Sequence, residues 1–313
     1  MKACGEVMHM TTAIGSKHHP SHIREARGDR IFQGVIIALS IVLLVIVAYP
    51  LYFTVIASFS KPEDVMLGKV VLWPRSFSVE SYKMVIAEKS IWMGYGNTII
   101  YTVLGTVINL LLTIMIAYPL SSKETPFRGV LTFIASFTML FSGGLIPTYL
   151  LVRNLGMYNT IWAMLLPTGI TTYNMLVMKN FFQSSIPGEL KEAANLDGCN
   201  DIQTLIHVVL PLSGSIIAVM VLFYAVGHWN EYFNALIYLK DRGRMPLQVI
   251  LREILLQNQE LATGDGTGLY EKMMAAETMK YAIIIVASVP VICMYPFVQR
   301  HFVKGVMVGA IKG

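Results

Sequence analysis

The residues best equipped for chemistry lie together near position 230, inside an otherwise apolar run: Gly227-His228-Trp229-Asn230-Glu231-Tyr232-Phe233-Asn234. Glu231 is the one acidic residue placed inside such a run. Facing lipid, a carboxylate costs at least ~2.5 kcal/mol even on lenient scales, so Glu231 should face a bundle interior or an aqueous path. Asn230 and Asn234, four apart, would share one helical face. Trp229 and Tyr232 bring flat rings of the kind that stack on sugars. The same residues serve equally as helix-helix glue and as an interfacial aromatic belt, because the apolar run ends a few residues later. Asn97, Tyr149, Tyr173 and Asn174 are candidates of the same kind.

Bond-breaking chemistry is poorly represented. The chain has no Walker pattern, HExxH, GxSxG or clustered Cys/His set, so no catalytic or metal site is assigned. His18, His19 and His22 lack carboxylate or thiolate companions and read as part of a mobile tail. Cys4, Cys199 and Cys293 are far apart and form no CxxC or disulfide pattern.

The elements that must hold these residues are membrane spans. Of 313 residues 55% are hydrophobic and 14% charged, and the net charge is only +5. Lys and Arg are scattered without aromatic interleaving, which argues against nucleic acid. Apolar runs of spanning length cover about 31–59, 98–120, 130–152, 160–178, 212–239 and 281–298. Pro50, Pro119, Pro147, Pro167, Pro290 and Pro296 fall in them, tolerable where neighbours re-satisfy the freed backbone groups. The first run is too long for a signal-peptide core and reads as an uncleaved span. Six spans put both termini on one side. The 24 Lys and Arg divide evenly between the two sides, so the charge rule alone does not orient the chain; only Arg24, Arg27 and Arg30 lean toward a cytoplasmic N-terminus.

Two longer loops, about 60–95 and 240–280, share a side. The first carries Trp73-Pro74, Tyr82 and Trp92 as interfacial anchors around a short folded segment. The second has a helical piece at 247–257 and a glycine run, Gly264-Asp265-Gly266-Thr267-Gly268, that reads as a linker and lacks the phosphate-loop lysine.

One long polar stretch, 186–211, interrupts the apolar pattern. Ser184 or Ser185 could cap a helix there, Pro187 suits its first turn, and Gly198 suits a left-handed C′ position. Leu190, Ala193 and Ala194 give it a narrow apolar face. Asn200 followed by Gln203 has capping-box spacing for a second start that runs into the apolar sequence after Pro211. By geometry alone this is an amphipathic helix with a re-entry turn, or an ordinary loop between spans.

The identities in that stretch go further. Glu192-Ala193-Ala194, Gly198, Val208, Leu210 and Pro211 resemble the EAA-x3-G-x9-I-x-LP motif of ABC-importer permeases, with Val208 for the usual isoleucine. The flanking Ile186-Pro187-Gly188-Glu189-Leu190 and Asp197, the 229–236 segment and the closing 302–313 are similar to the carbohydrate (MalG-like, multiple-sugar) permeases. The Phe141-Ser142-Gly143-Gly144 and Gly227-His228-Trp229-Asn230 segments look like their LplC/YtcP-type branch.

That resemblance implies an all-α polytopic protein of MetI-like fold: a cytoplasmic tail at 1–30, a six-span permease domain at 31–302, a coupling helix at about 186–198, and a cytoplasmic tail at 303–313. It implies a bacterial cytoplasmic membrane location, a homologous second permease, two ATPase subunits that bind the ATP and Mg²⁺ this chain does not, an extracytoplasmic sugar-binding protein and an oligosaccharide substrate. Glu189, Leu190, Glu192, Ala193, Ala194, Asp197, Gly198, Leu210 and Pro211 are then expected to meet or serve the ATPase. Trp229, Asn230, Glu231, Tyr232, Asn234, Asn97, Tyr149 and Asn174 are expected along the substrate path. A permease for a non-sugar solute and a self-contained secondary transporter are the alternatives.

Overall fold

The computed structural model describes residues 27–263, 279–294 and 296. Within them, regular structure is helical apart from one antiparallel bridge between Ser60 and Phe77. The tail before residue 27, the glycine run at 264–268, the last residues of the 281–298 span and the closing 302–313 lie outside the described residues. Contact clustering divides the chain into two compact units, Met1–Tyr52 and Phe53–Gly313. The described part of the first belongs to α1 (Arg27–Ser58), whose 32 residues span about 48 Å at 1.5 Å per residue.

The second unit opens with the end of α1 and a small folded segment, α2 (Pro62–Met66) and α3 (Glu80–Ala87). Phe59 stacks on Phe77 at 5.7 Å and Tyr82 bonds Ser58 at 2.8 Å, which closes the segment against the helix end. Next, α4 (Lys89–Ser121) starts nine residues before the expected 98 because Glu88 caps it, accepting from the Ser90 N–H. Trp92, expected in the loop, is therefore on its first turn.

Three of the other expected spans are broken, and each break has a local cause. The 130–152 span is two helices, α5 (Arg128–Leu140) and α6 (Leu145–Asn154), bent by 111°. Gly143-Gly144 sits at the bend, with Gly144 at φ +85°, and Pro147 falls in the first turn of α6, where its missing N–H costs nothing. The 160–178 span is α7 (Trp162–Leu165) and α8 (Thr172–Ser184), separated at Pro167 and Gly169. Then come α9 (Gly188–Leu196), α10 (Asp201–Thr204), a π-turn (Leu205–Val209) and α11 (Leu210–Leu212). Pro211 has no N–H for the His207 carbonyl and its ring crowds that group, so the chain widens just ahead of it.

After an 85° bend, α12 (Gly214–Trp229) runs alone; the segment to 239 is a separate short helix, α13 (Phe233–Tyr238). A single 3-10 turn (Arg242–Arg244) leads to α14 (Leu247–Thr263), longer than the expected 247–257, and α15 is Met279–Met294. Two described helices, Gly28–Ser58 and Lys89–Ser121, are long and apolar enough to cross a membrane singly; counting each bent pair as one span gives up to four.

α4 is the central strut, packing chiefly on α12, α8 and α14. The largest buried cluster joins Ile114, Ala117 and Leu120 of α4 to Met175, Met178 and Phe182 of α8 and Met220 and Tyr224 of α12. Leu111, one turn away on α4, points outward. Truncating Phe182 to Ala should therefore destabilise the chain by about 3–5 kcal/mol, while Leu111→Ala stays within ~1 kcal/mol; thermal unfolding in one detergent would compare them.

Candidate functional site

Two polar regions sit at opposite ends of α4. Asn97 and Ser121 are about 36 Å apart along an ideal helix, a bilayer's thickness.

At the C-terminal end, the 186–211 stretch is a helix-turn-helix closed by its own backbone. Gly198, at φ +82°, takes the left-handed position. Its N–H donates to the Asn195 carbonyl at 3.1 Å and Cys199 N–H to that of Ala194 at 2.9 Å, a Schellman turn. Asn200 and Gln203 exchange side-chain to backbone bonds, both 2.9 Å, as the capping-box spacing predicts. The start differs: Pro187 is the N-cap and no serine side chain caps the helix. Ser185 instead ends α8, its N–H donating to the Phe181 carbonyl.

Only Ala194 of the expected apolar face is buried; Leu190 and Ala193 are exposed. Glu189, Glu192 and Asp197 also face out, and Leu196 is 89% exposed. The Lys191 ammonium lies 5.5 Å from the Tyr118 ring centre, tying α9 to the end of α4. Burial holds its pKa below the usual lysine value, with Glu124 opposing the shift. Beneath α9 a cavity of about 1060 Å³ is lined by Tyr118, Lys123, Glu124, Arg128, Lys191 and Glu192 among others. Leu210 is half-buried and Pro211 exposed. At the 85° bend, Ser213 donates its hydroxyl to the Val209 carbonyl at 2.6 Å, satisfying a group the bend would free.

At the other end, the 229–234 group is arranged differently from expectation. Glu231 is not within a helix: it lies between α12 and α13 and caps the latter, accepting from Asn234 N–H at 3.1 Å and Asn234 Nδ2 at 3.0 Å. Asn230 and Asn234 thus share no helical face; Asn230 turns back to the Val226 carbonyl of α12. Trp229 is buried, its indole N–H bonded to the Ala287 carbonyl of α15 at 3.1 Å. Tyr232 receives the Arg252 guanidinium at 4.8 Å. Tyr149 stacks on Tyr238 of α13 at 6.3 Å. So α13 gathers Glu231, Tyr232, Asn234 and Tyr149, whereas Asn174 is buried apart on α8.

Asn97 has a backbone to hold. Its Nδ2 donates to the Gly243 and Met245 carbonyls at 2.9 and 3.0 Å, Tyr101 bonds the Arg244 carbonyl at 2.7 Å, and Thr98 accepts the Leu247 N–H at 2.8 Å. From the far side Asn159, itself at φ +56°, accepts the Lys240 and Asp241 N–H groups at 3.0 Å each. The 240–247 loop is fixed by its backbone and by Arg244, which donates to the Asn159 carbonyl and pairs with Asp241, while Arg242 pairs with half-buried Glu253.

Sequence reading missed the seam between these ends. Asn109 bonds His228 Nε2 at 3.2 Å and the Thr168 carbonyl at 3.1 Å, so one amide ties α4 to α12 and to the α7–α8 break. Gly105 allows it: a Cβ there would lie 2.3 Å from His228 Nε2. The available signal was the run Thr98, Thr102, Thr106, Asn109, Thr113 at four- and three-residue spacing along an apolar span.

Broken apolar helices around a full-length strut, with a polar helix outside them, suit a polytopic membrane protein. The family described as "binding-protein-dependent transport system inner membrane component" matches residues 23–308, and the chain belongs to it. It is 40% identical over 286 residues to the polygalacturonan/rhamnogalacturonan transport system permease protein YtcP of Bacillus subtilis (strain 168), covering 91% of this chain and 99% of that one. Protein LplC of the same organism is 38% identical over 264 residues, 84% of this chain and 89% of that one. Among solved structures, a chain of a bacterial ABC transporter involved in the import of the acidic polysaccharide alginate superposes with a TM-score of 0.81 at 34% identity, covering 89% of this chain and 99% of that one.

The His228–Gly105 contact is directly testable. Gly105→Ala should cost about 1–3 kcal/mol by overpacking. The loss should be smaller in a His228→Ala background, and equal losses in a thermal-unfolding double-mutant cycle would show that the two do not touch.

Proposed function

We propose that this chain is one of two permease subunits of an ABC importer that carries an acidic oligosaccharide across the bacterial cytoplasmic membrane by ATP-driven alternating access. The observation that carries the importer reading is α9. A helix closed at its C-terminal turn by a Schellman motif and a capping box holds Leu190 and Leu196 out among Glu189, Glu192 and Asp197, beyond the apolar helices. Exposed leucines on a short, well-fixed polar helix suit a groove on a partner.

In this reading the partner is one of two cytoplasmic ATPases, which bind nucleotide and Mg²⁺, and 186–198 is the EAA coupling helix. Ala194 supplies close packing, Glu192 a polar contact and Gly198 the turn. The membrane passes are α1, α4, α5 with α6, the 160–184 segment, α12 and α15. Both termini are cytoplasmic, and a homologous permease and an extracytoplasmic binding protein complete the assembly. The 240–247 loop then faces outward, with Tyr232 and Glu231 behind it toward the path.

The acidic substrate rests on that loop and on the company the chain keeps. Exposed Lys240, Arg242 and Arg244 follow one another on a fixed loop, the two arginines shared with Glu253 and Asp241, and relatives named for polygalacturonan and for alginate carry acidic glycans. Cations on a fixed edge raise the local concentration of an anionic ligand.

Three measurements test this. Gly198→Pro should abolish uptake while the protein stays in the membrane, because proline cannot adopt φ +82° and removes the N–H given to Asn195; wild-type uptake would sink the coupling role. With the purified complex and binding protein, oligogalacturonides should stimulate ATP hydrolysis and neutral oligosaccharides should not, and Arg242→Gln should weaken that stimulation and its salt dependence. Uptake by this chain alone, driven by an ion gradient and indifferent to ATP, would favour a secondary transporter.

A further inference from the structure

The polar run along α4 is unevenly satisfied. At its ends Thr98 accepts the Leu247 N–H, and Thr113 pairs with the Tyr224 hydroxyl at 2.6 Å. Between them the hydroxyls of Thr102 and Thr106 and the Oδ1 of Asn109 are buried without a hydrogen-bond partner among the described residues. So is the hydroxyl of Thr168, the residue whose carbonyl Asn109 already holds. Three of these atoms lie on one face of α4, and the fourth belongs to the segment fastened to that face.

Rotating the Asn109 amide does not help, because its Nδ2 serves the Thr168 carbonyl and a flip would set oxygen against oxygen. A threonine hydroxyl can turn to its own helix's carbonyl four residues back, but an amide oxygen can only accept. Asn109 Oδ1, on a residue only 2% exposed, therefore needs a donor from outside the side chains around it. Buried polar groups almost always have a partner, and stranding several together in apolar surroundings is costly.

We infer that the seam between α4 and α12 is a binding site for ordered water, held by Asn109 Oδ1 with the hydroxyls of Thr102, Thr106 and Thr168. Water fits the donor set: it gives a proton to the amide oxygen and exchanges with the hydroxyls, reaching the two to four partners a buried water takes. The four oxygens are all neutral, which suits a neutral ligand better than an ion. Such a bridge lets the two helices touch through partners that can be replaced one at a time as they shift.

Shape-conserving variants of the assembled complex decide the matter. Thr102→Val and Thr106→Val each remove a hydroxyl and keep the volume. A hydroxyl that holds water makes each variant less stable, by about 2–4 °C in Tm, with Thr106→Ser restoring most of the loss. A Tm that rises or does not move would show a hydroxyl without a bridging role and overturn the inference. Should a variant fail to assemble, a structure of the unmodified complex at a resolution that shows water supplies the answer. Density within hydrogen-bond distance of Asn109 Oδ1 and at least one of the three hydroxyls is expected, and an empty seam would overturn the site.

Discussion

Helices in a bilayer gain nothing by hiding leucine from lipid, so what holds this chain together is close approach and polar contact along one face of α4. That face carries Thr98, Thr102, Gly105, Thr106, Asn109 and Thr113, all short enough to bring α12 in tightly. His228 lies flat against Gly105 and Tyr224 bonds Thr113. The same helix anchors both ends of the molecule. Asn97, Thr98 and Tyr101 hold the 240–247 loop, while Ser121 accepts from Gln183 of α8 and Tyr118 sits beneath Lys191 of α9. The 240–247 loop and α9 are thus both fixed against a single rigid helix.

Breaking a membrane helix frees backbone groups that lipid cannot satisfy, and each break near the site has a side chain assigned to it. Ser213 takes the Val209 carbonyl at the 85° bend, Glu231 takes the Asn234 N–H at the start of α13, and Asn109 takes the Thr168 carbonyl between α7 and α8. Polar residues that look like ligand contacts in the sequence are, at several positions, spent on the backbone. This is the physical reason why Glu231 can sit near the membrane without an ion partner among the described residues: two N–H donors from one asparagine hold its carboxylate.

Local chemistry was legible and distant chemistry was not. Gly198, Asn200 and Gln203 act within five residues of themselves, so their spacing alone foretold the turn they make. The apolar runs foretold where helices occur but not that three of them break or bend, because hydropathy averages over a Gly-Gly or a proline that redirects the chain. Trp229 and Asn97 depend on carbonyls 58 and 146 residues away, and no window along the chain contains both partners. The threonine run on α4 was visible as a pattern, yet it reads as filler until His228 and Tyr224 are brought against it.

The 186–214 segment shows how a push could travel. Between α9 and α10 only four residues intervene, and their N–H groups are largely committed: Asp197 to Ala193, Gly198 to Asn195, Cys199 to Ala194 and Asn200 to Gln203. With so little slack, α9 cannot move without carrying α10. The next weak point is the widened turn before Pro211, followed by the bend at Ser213, whose hydroxyl bonds the Val209 carbonyl at 2.6 Å and whose N–H bonds that of Leu210 at 3.0 Å. Displacement entering at α9 must therefore be spent there, as a change of angle between α11 and α12, before it reaches the Asn109–His228 fastening. A partner that grips the exposed leucines of α9 has a stiff handle, one hinge, and a helix beyond it that is packed on the strut spanning the membrane.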